Sequence, residues 1–369
     1  MYAKQFMSGL CAAAVLLGSL PFASADQIEA VYTMSNAVSG NEVLVFHRRP
    51  KGNLEAAGAF ATGGNGTGGG LENQSAVVLD PSDRWLFVVN AGSGSISSFR
   101  VLENSLKLVD TEPSGGFRPI SLTVFGTWVY VLNEGDVNDP ASEDNIAGFR
   151  FNADGTLSPI PNATHRLSAR ITDPAQISFN KEGTVLLVTE KATNTITTYT
   201  VDADGIPSGP ITRPSAFPTP FGFQFGDRDF VFISEVNAGG PGSVVSYRVG
   251  RETGMVSSAI DVFAAENAVC WVVLSNDQTI GYATNTGSAS ISLFEVNFDG
   301  TMDSVLPGGN TVSTGNGPLD LVLTQDGRYL YTLNFGDDTI RAFRVRPNGR
   351  LRRLGTVETP DGANGLAAR

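Results

Sequence analysis

The chain has 369 residues, with 25 Lys and Arg against 37 Asp and Glu, and a formal net charge of −12 at pH 7. So acidic a surface excludes the attraction to phosphate backbones and anionic lipid on which nucleic-acid and membrane-surface binding depend. With only His47, His165, Cys11 and Cys270, the chain also lacks the ligands for a His-rich metal site, a His-based catalytic triad or a disulfide framework.

In chain order, Lys4, the apolar run from Leu10 to Leu17 and the small residues Ala23, Ser24 and Ala25 have the layout of a secretory signal peptide over residues 1–25. The run is too short to span a bilayer. Its removal takes away Lys4 and Cys11, which makes the chain one unit more negative and leaves Cys270 as a lone thiol. The expected product, residues 26–369, is a secreted, monomeric single domain without membrane insertion. Sequons at Asn65, Asn73 and Asn162 predict N-glycosylation, the alternative being that at least one of them is never modified.

From residue 31 onward one unit repeats seven times. A short apolar strand ends in Asn36, Asn90, Asn133, Glu190, Glu235, Asn285 or Asn334, at intervals of 43 to 57 residues. A second strand follows each, centred on Phe46, Phe99, Phe149, Tyr199, Tyr247, Phe294 or Phe343. Helical periodicity is absent. Tight-turn signatures punctuate the strands, with NKEG from Asn180 and TQDG from Thr324 in one register, and NADG from Asn152, DADG from Asp202 and NFDG from Asn297 in another. The repeat length and strand content predict an all-β, seven-bladed β-propeller. Six blades are expected over 74–111, 118–164, 173–214, 219–263, 268–312 and 317–359. The seventh is expected to be split, its outer three strands from 28–61 and its inner strand from 364–368, so that the two chain ends close the ring and leave no open edge.

Within each blade the innermost strand A and its neighbour B place the start of A and the end of B on one face, where the connections vary in length and chemistry. Binding is usually built on such loops. Pro119, Pro174, Pro220 and Pro318 open strand A and are architectural. Ser121, Gln176, Gly222, Trp271 and Asp320 are expected to line the channel mouth on that face. Glu190 and Glu235 replace the usual Asn in adjacent blades, and two neighbouring carboxylates can share a proton and serve as acid and base. The alternative is that each accepts backbone N–H bonds from a nearby loop. Arg118 and Lys191 supply cations for a substrate carboxylate or an enolate, or form an ordinary salt-bridge network with the two glutamates. Trp271, Phe117, Phe221 and Phe335 give the mouth an aromatic wall suited to an apolar or aromatic ligand, or fill gaps between blades. Asn133 and Asn285 complete the expected binding set. The acidic loop from Glu134 to Asp144 lacks calcium-loop spacing, and no metal or cofactor is expected.

Segments RPISLTV from Arg118, DPAQISFN from Asp173, LLVTEK from Leu186, PFGFQF from Pro220, VCWVVL from Val269 and PLDLVL from Pro318 resemble the propeller lactonase family. That family includes 6-phosphogluconolactonases and 3-carboxy-cis,cis-muconate cyclases, and the segments are similar to its secreted fungal and bacterial members. The resemblance implies a seven-bladed fold with a small-molecule pocket at the channel mouth, lined by His, Glu and Arg types. Gln176 stands where many of the family's enzymes carry His, which adds it to the catalytic candidates Glu190, Glu235, Arg118 and Lys191. Three functions remain open: a secreted cyclase, isomerase or lactonase acting on a carbonyl- or aromatic-derived molecule; a cofactor-free pericyclase of secondary metabolism; and a non-enzymatic secreted glycoprotein that acts as an adhesin or host ligand.

Overall fold

Short runs rich in Val, Ile, Phe and Tyr bury both faces only when they stack as sheets, and the chain does this seven times. The computed structural model describes residues 29–369 apart from 238–239 and 306–310, so the signal peptide expected at 1–25 lies outside the described residues. Seven antiparallel sheets form the propeller. Their innermost strands A are Val77–Leu79, Arg118–Phe125, Pro174–Phe179, Pro220–Phe225, Val269–Leu274, Pro318–Leu323 and Asn364–Ala368, and strands B, C and D follow outward in each. In the sheet of Val269–Leu274 the outer strand is in two pieces, Met302–Ser304 and Thr311–Ser313, which both pair with Ser290–Val296. The split blade is as expected: Asn364–Ala368 pairs with Ala30–Met34, which continues into Glu42–Arg48 and Leu54–Ala61.

The central aromatics of the C strands, Phe46, Phe99, Phe149, Tyr199, Tyr247, Phe294 and Phe343, are all buried. The Asp-Gly hairpins also join blades. Gly155 and Gly205 have φ of +96° and +82°, and a Cβ at either would run into Trp85 or Trp128 of the preceding blade. Only glycine satisfies both the turn and the contact.

Around the channel a belt of side chains ties each inner strand to the next. Ser121 Oγ accepts from Ile177 N at 3.2 Å, Gln176 Oε1 from Phe223 N at 2.6 Å, Gln224 Oε1 from Leu274 N at 2.7 Å and Asp320 from Leu366 N at 3.1 Å. These bonds satisfy strand-edge N–H groups that would otherwise stay unpaired inside the ring. Asp320 is the belt's carboxyl in this set, and burial pushes it from 3.8 up to about 7, with the Leu321 and Leu366 N–H groups pulling it back. The folded state therefore keeps this proton to higher pH than the unfolded chain, and stability falls as pH rises from about 4 to about 7. Asp320→Asn is expected to flatten that part of the Tm profile and to lower Tm at acidic pH, because its amide N–H₂ cannot accept the N–H that one Asp320 oxygen accepts, as thermal unfolding across pH will show.

A second device crosses the channel. Residues 72–75 form a strap between the Leu54–Ala61 and Val77–Leu79 strands. Gln74 donates from N to Ala175 O at 3.1 Å and from Nε2 to Val272 O at 3.1 Å. Asn73 donates from Nδ2 to Ile120 O and accepts from Trp271 Nε1 at 2.5 Å, and Ser75 O accepts from Leu122 N at 3.0 Å. The strap thus ties together inner strands of three other blades. Gly222 makes room for it, since a Cβ there would overlap Gln74 Oε1 and the Cys270 carbonyl oxygen.

Candidate functional site

Side chains alternate along a strand, so the polar residue ending strand B and the residue after it meet different surroundings. The first column is internal. Asn133 Nδ2 donates to Ser114 O at 3.1 Å and Asn145 Oδ1 at 3.0 Å, and Asn285 Nδ2 donates to Ser290 Oγ at 3.0 Å and Ser292 Oγ at 2.9 Å. Glu190 serves the same purpose with the opposite polarity, accepting from Thr197 Oγ1 at 2.6 Å, Thr193 Oγ1 at 2.7 Å, Ser168 N at 3.1 Å and Ser168 Oγ. Glu235 accepts from Tyr247 O–H and Phe217 N. All four residues are 0% exposed.

This corrects the expectation that Glu190 and Glu235 face one solvent cavity as a proton-sharing pair. Neither has surface to offer a substrate, and they share no hydrogen-bond partner. The carboxylates replace amides because the surrounding groups are donors. Burial pushes Glu235 up to about 7, against the Tyr247 and Phe217 bonds. Asn133 and Asn285 are likewise blade-internal rather than substrate-binding. Glu190→Ala is expected to cost about 2 kcal/mol by stranding buried donors, while turnover per folded molecule is retained. Chemical denaturation alongside activity will check it.

The next position along each strand faces the mouth. Lys191 N donates to Asp173 O at 3.0 Å, Val236 N to Thr219 O at 3.0 Å and Thr286 N to Ala268 O at 2.9 Å, and Glu134 pairs in register with Arg118. Residues before strand A and after strand B therefore alternate around the rim. Lys191, Asp173, Phe221, Cys270 and Trp271 line a cavity of about 480 Å³ on the mouth side of the strap. The Lys191 ammonium, 5% exposed, lies 3.1 Å from Asp173 Oδ1, 3.8 Å from Glu72 Oε2 and 2.9 Å from Glu72 O, and 5.1 Å from the centre of the Phe221 ring. Phe221 and Trp271 pack edge to face at 5.0 Å.

Asp173 also walls a second cavity of about 300 Å³, with Phe117, Arg118, Glu134 and Val137. Arg118 Nη1 lies 2.6 Å from Glu134 Oε2. Burial pushes the Glu134 carboxyl up to about 6, and Arg118 and then Lys191 pull it back. A carboxylate of raised basicity beside a guanidinium, in a cavity, can take a proton from water or substrate and steady the charge that results.

Of the expected site residues, Arg118, Lys191, Phe117, Phe221 and Trp271 come together around the mouth. Gln176 and Asp320 do not, because they lie beyond the strap in a different cavity. Phe335 is 36% exposed on the same face, outside the cavities described. From sequence Glu134 is expected only as the start of an acidic loop, and Asp173 and Glu72 are not among the candidate site residues; Glu134 and Asp173 sit one step from the repeated columns, and that offset is the available signal. Cys270 is buried, its thiol pushed up to about 12, and it donates to Ala268 O at 3.2 Å. In the acidic loop Asp136 and Asp139 accept backbone N–H groups, and no three metal-ligating side chains converge among the described residues.

The sequons differ in access. Asn65 and Asn162 are exposed, whereas Asn73 is 2% exposed with its Nδ2 committed to Ile120 O. Asn73 is therefore the sequon expected to stay unmodified. Peptide mapping from a glycosylating host is expected to find glycan on Asn65 and Asn162 and none on Asn73.

The sequence pattern described as lactonase, 7-bladed beta-propeller matches residues 29–138 and 226–367, well over half of the chain. Among solved structures, a candidate 6-phosphogluconolactonase of Bacteroides fragilis is 20% identical, covering 94% of this chain and 99% of its own, with a TM-score of 0.71. One from Bacteroides uniformis is 18% identical over 93% and 100%, with a TM-score of 0.75. The periplasmic gluconolactonase of Pseudomonas aeruginosa is 18% identical over 92% and 99%, with a TM-score of 0.74. At these identities the likeness concerns the fold. No curated protein matches the sequence.

Proposed function

The chain belongs to the seven-bladed β-propeller lactonase family, and on that premise we propose that it is a secreted enzyme that opens or isomerises a small lactone at the Arg118–Glu134 side of the channel mouth. The observation that carries this reading is the Glu134 carboxyl, raised to about 6 and 2.6 Å from a guanidinium in the wall of a cavity. Glu134 takes a proton from water as its oxygen adds to the lactone carbonyl. Arg118 donates to the oxyanion that forms. The ring C–O bond then breaks, and the proton held by Glu134 passes to the leaving alkoxide. Lys191 and Asp173 position the strap and the shared wall rather than touch the reacting atoms. No step requires a cofactor.

Substrate class follows from charge and exposure. Glu72, Glu134, Asp136, Asp144 and Asp173 outnumber Arg118 and Lys191 around the two cavities, so a phosphorylated sugar lactone meets net repulsion. Phe117 and Val137 line the second cavity and are 55% and 63% exposed, and they suit a neutral lactone with an apolar or aromatic body. Hydrolysis of dihydrocoumarin and of 6-phosphogluconolactone, followed side by side, tests this. Turnover of the first and little of the second is expected. No turnover of either rejects the enzyme reading, and preference for the phosphorylated lactone rejects the substrate class.

A further inference from the structure

At the opposite end of the channel, beyond the strap, lies a cavity of about 410 Å³ whose polar wall the mouth chemistry does not use. Gln74 and Ser75 of the strap form part of its lining and separate it from the mouth. A ligand reaches it from the face of the A–B turns.

Three belt residues face into it. Gln176 and Gln224 commit Oε1 to the N–H of Phe223 and Leu274, which orients each carboxamide and leaves its Nε2 hydrogens without a protein partner among the described residues. Gln176 is 4% exposed and lines the cavity, so its amide donors have the cavity as their outlet. Asp320 accepts Leu321 N at 2.8 Å on one oxygen and Leu366 N at 3.1 Å on the other. Each oxygen keeps a lone pair, and among the described residues no cation forms an ion pair with this carboxyl. Buried polar groups left in this state are costly unless water or a ligand completes them.

The chemistry of the wall selects among ligands. Asp80, Asp83 and Asp320 are in the lining, and the nearby Arg369 acts on Asp83 from outside it, so the acids outnumber the one cation and an anion is disfavoured. A protonated amine is a poor match because two amide N–H₂ groups point where its own donors would go. Hydroxyl groups both donate and accept, and they fit carboxamide donors set among carboxyl acceptors. A neutral, high Asp320 carboxyl, about 7 in this site, is compatible with such a partner. The volume lies within the range of small-molecule sites, about 300–1,000 Å³.

We propose that the A–B end of the channel is a second binding site, for an uncharged polyhydroxylated molecule of monosaccharide size. Its hydroxyls donate to Asp320 and accept from Gln176 and Gln224. The site is independent of the lactone reading, since the strap stands between it and the mouth. Because Asp320 also holds Leu366 in the closing strand, a bound polyol stabilises the closure of the ring.

Calorimetric titration of the full secreted chain with myo-inositol and D-glucose, alongside D-gluconate and putrescine, tests the site. The neutral probes are expected to bind and to raise Tm. Gln176→Glu keeps the acceptor for Phe223 N and turns the inward donor into an acceptor, and is expected to weaken the neutral probes about tenfold, the scale of one lost hydrogen bond. Gln224→Glu makes the same test should the first variant fail to fold. Absence of binding by both neutral probes, tighter binding of gluconate or putrescine, or affinity unchanged in the folded variant overturns the proposal.

Discussion

Glu134→Gln is expected to lower lactone kcat/KM by about 10²–10⁴-fold, the usual contribution of a positioned general base. The amide keeps the shape and a hydrogen bond to its surroundings but cannot take the proton. The parent enzyme should show an acidic limb near pH 6, because the base works only when ionised and its pKa is raised to about 6. Below that limb the rate falls about tenfold per pH unit. Arg118 holds the Glu134 pKa down, so Arg118→Gln is expected to move the limb upward as well as slow the reaction. A pH–rate profile of the three proteins checks both statements. If Arg118 and Glu134 form a salt bridge of structural value alone, the variants will lose stability and keep the profile of the parent.

Trp271→Ala is expected to destabilise the fold by about 3–5 kcal/mol, the range for removing a buried large aromatic. The indole is 2% exposed, packs against Phe221 and donates from Nε1 to Asn73 O. Its loss removes packing between two blades and one tether of the strap. Trp271→Phe retains a ring without the donor and should cost about 1–3 kcal/mol, the price of leaving Asn73 O without its partner in a buried site. Hydrogen exchange at residues 72–75 should rise in both variants and more in Trp271→Ala. Unfolding curves with exchange measured on the same samples separate the strap's loosening from global loss. Unchanged exchange at 72–75 in a destabilised variant contradicts the tethering role given to Trp271.

The two results bear on different parts of the molecule. Proton transfer is proposed for Glu134 with Arg118 at the rim, while Trp271 and Lys191 hydrogen-bond to the strap. A large effect of Trp271→Ala on turnover therefore reports on the strap as well as on contact with substrate, and it cannot by itself mark an aromatic wall that orients reactants.

The repeat of strand-end polar residues and central aromatics was sufficient for the seven blades, their order and the split closing blade, because a propeller blade is assembled from contacts that recur at a fixed spacing along the chain. The family match over 29–138 and 226–367 takes in three of the six segments quoted for the resemblance, those from Arg118, Val269 and Pro318. The mouth was half legible: Arg118, Lys191, Phe117, Phe221 and Trp271 were identified through their place in the repeat. Glu190 and Glu235 drew attention as departures from it, yet they are buried acceptors, and the acid proposed to handle the proton stands one residue after Asn133.

Sequence by itself thus determined the architecture, since period-two burial and turn chemistry act between near neighbours. Only the tertiary structure decided which carboxylates meet solvent, since a single step along a strand turns a side chain from the blade interior to the channel mouth. It also decided the course of residues 72–75, whose partners Ile120, Ala175, Trp271 and Val272 come from three distant blades. No local pattern encodes a segment whose hydrogen bonds exist only once the ring has closed.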